Sequence, residues 1–126
     1  MNNIAAVGFS ILAAFAALFQ IALVVGAPWG ELTLGGKFPG RLPLSLRLVA
    51  AGSGLLLAFF ALVVLTEAGL IFAEWAILSK RLIWIVVGYC ALGVIANATT
   101  QSGRERVLWL PVVAAMLTLS IVVAVG

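Results

Sequence analysis

The first charged side chain in the sequence is Glu31, and before it Ile4 to Val25 carries only Ser10 and Gln20 as polar side chains. A run of that length can cross a hydrocarbon core of roughly 30 Å, which takes about 20 residues of helix. Inside hydrocarbon every backbone N–H and C=O must be satisfied within the protein, which makes such a run helical. A secretory signal peptide is the competing reading. Met1-Asn2-Asn3 supplies no basic n-region, the apolar run is too long, and Pro28 is badly placed for cleavage. The run is therefore read as a retained membrane span over 4–25.

Three further spans follow. The second covers 46–65, entered through Pro43 and Arg47, with Ala50, Gly54 and Ala58 spaced to form a stripe on which a neighbouring helix can approach closely. The third covers 82–98, with Gly88, Gly93 and Ala96 as its small positions. The fourth covers 105–125. Ser102-Gly103-Arg104-Glu105 has the capping-box form, so this helix starts before the membrane does. Pro111 frees the carbonyl of Val107 and should kink it. Between the second and third spans, Glu67 to Lys80 reads as an interfacial turn or short helix, with an extension of the second span as the alternative. Composition agrees: 65% hydrophobic, 9% charged and a mean hydropathy of +1.30 lie far from the soluble norm of about half apolar and a quarter charged. The fold class is an all-α integral membrane protein, a single four-helix transmembrane bundle over 1–126.

Charge sets the expected orientation. Lys37, Arg41, Arg47, Arg104 and Arg106 follow the first and third spans, and Lys80 and Arg81 follow the second. The positive-inside rule then puts the loop 26–45 in the cytoplasm and both termini outside. Trp29, Trp75, Trp84 and Trp109 fall near span ends, two per side, as an aromatic belt would. The net charge of +3 belongs to these flanks. With no basic run and no interleaved aromatics, nucleic acid is excluded as a partner. Cys90 stands alone in an apolar segment and reads as a small buried residue. The sequence contains neither histidine nor aspartate. That removes His-based proton transfer, a Ser-His-Asp arrangement and nearly all zinc or haem ligation. No cofactor or metal is expected, and the chain reads as non-enzymatic.

The one long break in this apolar chain is Gly26–Pro43, which holds five of the thirteen glycines and three of the four prolines. Long loops of this kind tend to be functional or disordered, and the apolar residues here favour order. Glu31-Leu32-Thr33-Leu34 before Gly35-Gly36 alternates polar and apolar residues and predicts a hairpin. Gly30 with Gly35-Gly36-Lys37 fails as a phosphate-binding loop. One glycine is out of register, and Phe38 replaces the Ser/Thr that would hold magnesium.

A second polar group belongs to the same end: Gln20 inside the first span, Arg47 opening the second, Asn97, Thr99 and Thr100 closing the third, and Arg104, Glu105, Arg106 and Trp109 opening the fourth. Buried amides in hydrocarbon need partners, because an unsatisfied polar group there costs on the order of several kcal/mol. The plain reading is interhelical glue, with Glu31 and Glu105 paired to Arg47, Arg104 or Arg106. The sharper reading makes Gln20, Trp29, Glu31, Arg47, Asn97, Arg104, Glu105, Arg106 and Trp109 the candidate ligand-binding residues, around a polar pocket for an anionic headgroup or small solute. Tyr89, Gly93 and Asn97 share one stripe of the third span, read first as a packing seam and second as a solute path.

Gly26-Ala27-Pro28-Trp29-Gly30 with Gly35-Gly36 and Leu42-Pro43, together with Asn97 and Ser102-x-x-Glu105-Arg106-x-x-Trp109-x-Pro111, resembles a group of small bacterial four-span membrane proteins. The resemblance implies this architecture and a bacterial inner membrane, and it implies no activity. Small multidrug exporters share the length and the span count but rely on a carboxylate in the first span, where this chain has Gln20. Three functions remain open. The leading one is an accessory or interaction subunit, partnered by the bilayer and by itself or another membrane protein. The others are a small oligomeric transporter or channel with its entrance beneath the loop, and a lipid-binding protein or membrane-interface enzyme using Glu31, Glu105 and the arginines.

Overall fold

The computed structural model describes residues 2–33 and 36–126, with the side chain of Glu31 excepted. It is all-helical among these residues: α1 (Asn2–Val24), α2 (Leu44–Glu67), α3 (Ala76–Thr99) and α4 (Gly103–Val125), with short 3₁₀ turns at Gly30–Leu32 and Ala73–Trp75. All four helices are long and apolar enough to cross a membrane, which by length and composition makes the chain a multi-pass membrane protein.

The helix ends follow from local chemistry. Gly26 stops α1 at φ +98°. Its N–H donates to Leu23 O (3.2 Å) and that of Ala27 to Ala22 O (2.9 Å), the paired bonds of a Schellman cap. Gly69, at φ +81°, repeats the device on α2, with Gly69 N–H to Thr66 O and Leu70 N–H to Leu65 O, both 3.0 Å. Arg47 adds a side-chain cap to α1, its Nε donating to Val24 O at 2.9 Å. Ser102 caps α4, where its Oγ accepts from Glu105 N–H at 3.2 Å. Helical assignment then continues unbroken through Pro111.

Glu67 closes α2 and Glu74 lies in the 3₁₀ turn that follows, so α2 does not extend through the segment. The chain breaks at Gly69, passes through Phe72 at φ +47°, and re-enters helix by way of Ala73–Trp75. The segment is thus a turn that feeds α3, which starts at Ala76 rather than near Leu82. Glu67 instead meets α3, where its Oε1 accepts from Ser79 Oγ at 3.2 Å.

The helices alternate in direction. Val24, Leu44, Thr99 and Gly103 gather at the loop end. Asn2 and Gly126 touch at the other. α1 packs most extensively on α2, and α3 on α4; α1 also meets α4, while α2 meets α3 less and α4 least. The α1–α2 seam is closed at Gly54, where an added methyl would sit 3.5 Å from Gln20 Cβ and 3.7 Å from Ala17 O. Ala50 is buried beside it, whereas Ala58 is exposed. The hydroxyls of Ser10, Ser53, Thr66, Thr99, Thr118 and Ser120 all donate to carbonyls three or four residues back in their own helices. Such bonds satisfy a hydroxyl in hydrocarbon without a neighbour.

Candidate functional site

At the loop end the four helices enclose a cavity of about 640 Å³. α1 contributes Ala16, Phe19 and Gln20, α2 Ser53 and Leu57, α3 the stripe Tyr89–Gly93–Asn97 with Cys90, and α4 Glu105, Trp109 and Met116. Leu32, Thr33 and Lys37 cover it. The walls toward Leu57 and Met116 are mostly apolar, with Tyr89 and Cys90 among them, and Thr33, Lys37, Asn97 and Glu105 lie toward the loop.

The cover is pinned from inside. Trp109 is 8% exposed, and its Nε1–H donates to Leu32 O at 2.9 Å. Its ring takes Phe19 edge-on at 4.8 Å and lies 5.7 Å from Phe15, and Phe19 in turn stacks on Trp29 at 6.0 Å. Trp109 therefore belongs to the bundle interior and not to an interfacial belt, while Trp29, Trp75 and Trp84 are exposed. The expected hairpin is corrected over its first arm. Gly30–Leu32 is a 3₁₀ turn, with Leu32 N–H to Trp29 O (3.0 Å) and Thr33 N–H to Gly30 O (3.2 Å), and no strand occurs among the described residues. The turned backbone here presents the Leu32 carbonyl to Trp109. Leu34 and Gly35, half of the expected Gly-Gly turn, lie outside the described residues.

The structure separates the nine candidate residues. Gln20, Asn97, Glu105 and Trp109 all line the cavity. Trp29 stacks behind the wall, on Phe19. Arg47 caps α1 and Arg106 donates from its guanidinium to Thr100 O, so both arginines are occupied by backbone carbonyls. Arg104 borders a shallow outer groove with Val107 and Pro111. The side chain of Glu31 lies outside the described residues.

Among the described residues neither amide makes an interhelical hydrogen bond. Asn97 Nδ2 donates to Gly93 O in its own helix at 2.7 Å, and Gln20 has no hydrogen-bond partner among the described residues. Tyr89, Gly93 and Asn97 together line the cavity, and two of them also pack against neighbouring helices: Tyr89 on Phe60 of α2, and Gly93 toward Val113 of α4, 3.8 Å from an added methyl. The lining residues that sequence reasoning left out of the site include Phe19, Thr33, Lys37, Ser53, Leu57, Cys90 and Met116. Apolar and small residues carry no signal that separates cavity wall from core, so only Lys37 could have been suspected.

The cavity also has a side. α2 and α3 touch through Phe60 and Tyr89, ring centroids 5.0 Å apart, and through Glu67 and Ser79, both away from the loop end. Nearer the loop the lining residues of α3 stay open, with Leu92 68% exposed and Ala96 exposed beyond it. The opening faces the surface where lipid would lie. The chain matches no protein-family model, no curated protein and no solved structure.

Proposed function

We propose that this chain is a non-enzymatic multi-pass membrane protein that holds an amphiphile with a single apolar chain between its four helices. The carrying observation is the cavity: mostly apolar walls, polar residues toward the loop, and an opening between α2 and α3. Its volume of about 640 Å³ lies within the roughly 300–1,000 Å³ of small-molecule sites. From Glu105 to Met116 it follows about 16 Å of α4 at the ordinary helical rise, the reach of one medium-length chain. The amphiphile would lie as it does in a bilayer, chain toward the middle and head at the loop end. Such a role suits an accessory protein that stores, presents or senses a membrane amphiphile. The resemblance of its two motifs to small bacterial four-span proteins is the support for proposing a bacterial inner membrane as its location.

The test uses Trp109 as reporter. In a Trp29→Phe, Trp75→Phe, Trp84→Phe background held in phosphatidylcholine nanodiscs, bromododecanol should quench Trp109 at mole fractions too low for quenching by the surrounding bilayer. Ser53→Phe, which fills the mouth, should abolish this excess. Gly52→Phe, on an open face with nothing within 4 Å of an added Cβ, should preserve it. Quenching no greater than bulk partition predicts, or insensitivity to Ser53→Phe, overturns the reading.

A further inference from the structure

The reading above gives the cavity a chain to hold, and the blind end of the cavity sets how long that chain can be. Followed away from the loop, the lining residues run out on all four helices. The deepest are Ala16 on α1, Leu57 on α2, Tyr89 on α3 and Met116 on α4. One turn further on stand Ala13, Phe60, Val86 and Ser120, none more than 4% exposed and none lining the cavity. Phe60 also closes α2 on α3 at this level, edge-on to Tyr89 at 5.0 Å. The bundle beyond is filled with its own side chains, and Met116, 3% exposed, stands at the floor.

A ligand that enters from the bilayer has already left water. Each added methylene then gains little from the hydrophobic effect, because lipid tails are as apolar as the walls. What distinguishes one chain length from another is fit. A chain that stops short of Met116 leaves wall atoms without partners and forfeits their dispersion attraction. A chain that reaches past it must push side chains out of a close-packed layer, and overpacking is destabilising too. The opening between α2 and α3 lies nearer the loop, so a longer chain escapes the floor only by folding back on itself. The lined stretch from Glu105 to Met116, about 16 Å of helix, takes about twelve carbons of an extended chain at roughly 1.25 Å each.

We infer that the cavity is a ruler: it selects single-chain amphiphiles of about twelve carbons over shorter and longer ones, with Met116 setting the limit. This selection rests on the amphiphile-binding reading and narrows it to a chain length, whatever the head.

The test is competition against bromododecanol in the Trp109 reporter in nanodiscs, with unbrominated primary alcohols from octanol to hexadecanol. Relief of quenching is normalised to each competitor's mole fraction in the disc. A single reporter and a single head leave chain length as the variable. Dodecanol should compete best, with octanol and hexadecanol each about tenfold weaker, a difference of roughly 1.4 kcal/mol. Met116→Ala removes the floor side chain and should move the optimum to tetradecanol or longer. Met116→Leu, close in volume, should leave it in place. Should Met116→Ala fail to fold, Cys90→Leu is the second probe. It adds bulk at the deep end of the α3 lining and should move the optimum to decanol or shorter. Equal competition at every length, competition that only rises with length, or an optimum that neither Met116→Ala nor Cys90→Leu moves overturns the ruler and leaves the cavity reading standing. Quenching by bromododecanol no greater than bulk partition predicts overturns both.

Discussion

Gly30 carries the tightest backbone approach in the loop. Its N–H donates to Gly40 O at 2.8 Å, and a methyl at Gly30 would run into Phe38 O and lie 2.7 Å from Gly40 O. Those neighbours are backbone, which cannot swing aside as a side chain can. Gly30→Ala must therefore break the bond that joins the two arms of the loop. Leaving a buried N–H without a partner costs about 1–3 kcal/mol. The expected result is loop opening with the helices intact: faster tryptic cleavage after Lys37 and Arg41, and an unchanged helical circular dichroism signal. Cleavage at the wild-type rate would show that the Gly30–Gly40 link does not hold the loop. The glycine was legible as a special backbone position, but its reason was not. The approach comes from Phe38 and Gly40, whose placement depends on the whole loop closing over the bundle.

The α1–α2 seam shows what helical spacing does and does not reveal. Ala50, Gly54 and Ala58 look like one stripe, but each step of four residues advances roughly 40° past a full turn, so Ala58 stands about 80° round from Ala50. The structure buries Ala50 and Gly54 against α1 and replaces Ala58 with Leu57. Gly54 and Gly52 therefore make a matched pair. A methyl at Gly54 meets Gln20 Cβ at 3.5 Å, ordinary contact, while nothing lies within 4 Å at Gly52. Gly54→Leu forces extra methylenes into this seam and should cost about 1–3 kcal/mol. Gly52→Leu should stay within about 0.5 kcal/mol of wild type. Thermal unfolding in nanodiscs reads both, and equal effects would remove Gly54 from the seam. The four helices were legible because membrane solvent writes its demand into every residue of a span. The loop's 3₁₀ turn was not, because the polar-apolar alternation of Glu31 to Leu34 fits either backbone. The deciding partner, Trp109, lies far along the chain.

At the scale of the molecule, the alternating helices put Lys37, Arg41, Arg47, Arg104 and Arg106 at one end and Lys80 and Arg81 at the other. Arg47 and Arg106 fold back onto backbone carbonyls there, yet they still count toward orientation, since the positive-inside bias counts Lys and Arg near span ends during insertion. The expected topology has the loop end, and with it the polar end of the cavity, on the cytoplasmic side. In a Cys90→Ala background, a membrane-impermeant maleimide added to spheroplasts should label Lys80→Cys at once and Lys37→Cys only after lysis. Labelling of position 37 from outside would reverse the orientation. The bias can also be removed deliberately. Ala73, Glu74 and Ala76 are exposed in the turn between α2 and α3, and replacing all three with lysine equalises the two ends while leaving the core untouched. Acidic residues count for little in this bias, so the lost Glu74 adds almost nothing beyond the gained lysines. The triple variant should insert in both orientations, each site then labelling in part from outside. A variant that keeps a single orientation would show that something other than loop charge, such as the long first span at insertion, decides which side the cavity's head end faces.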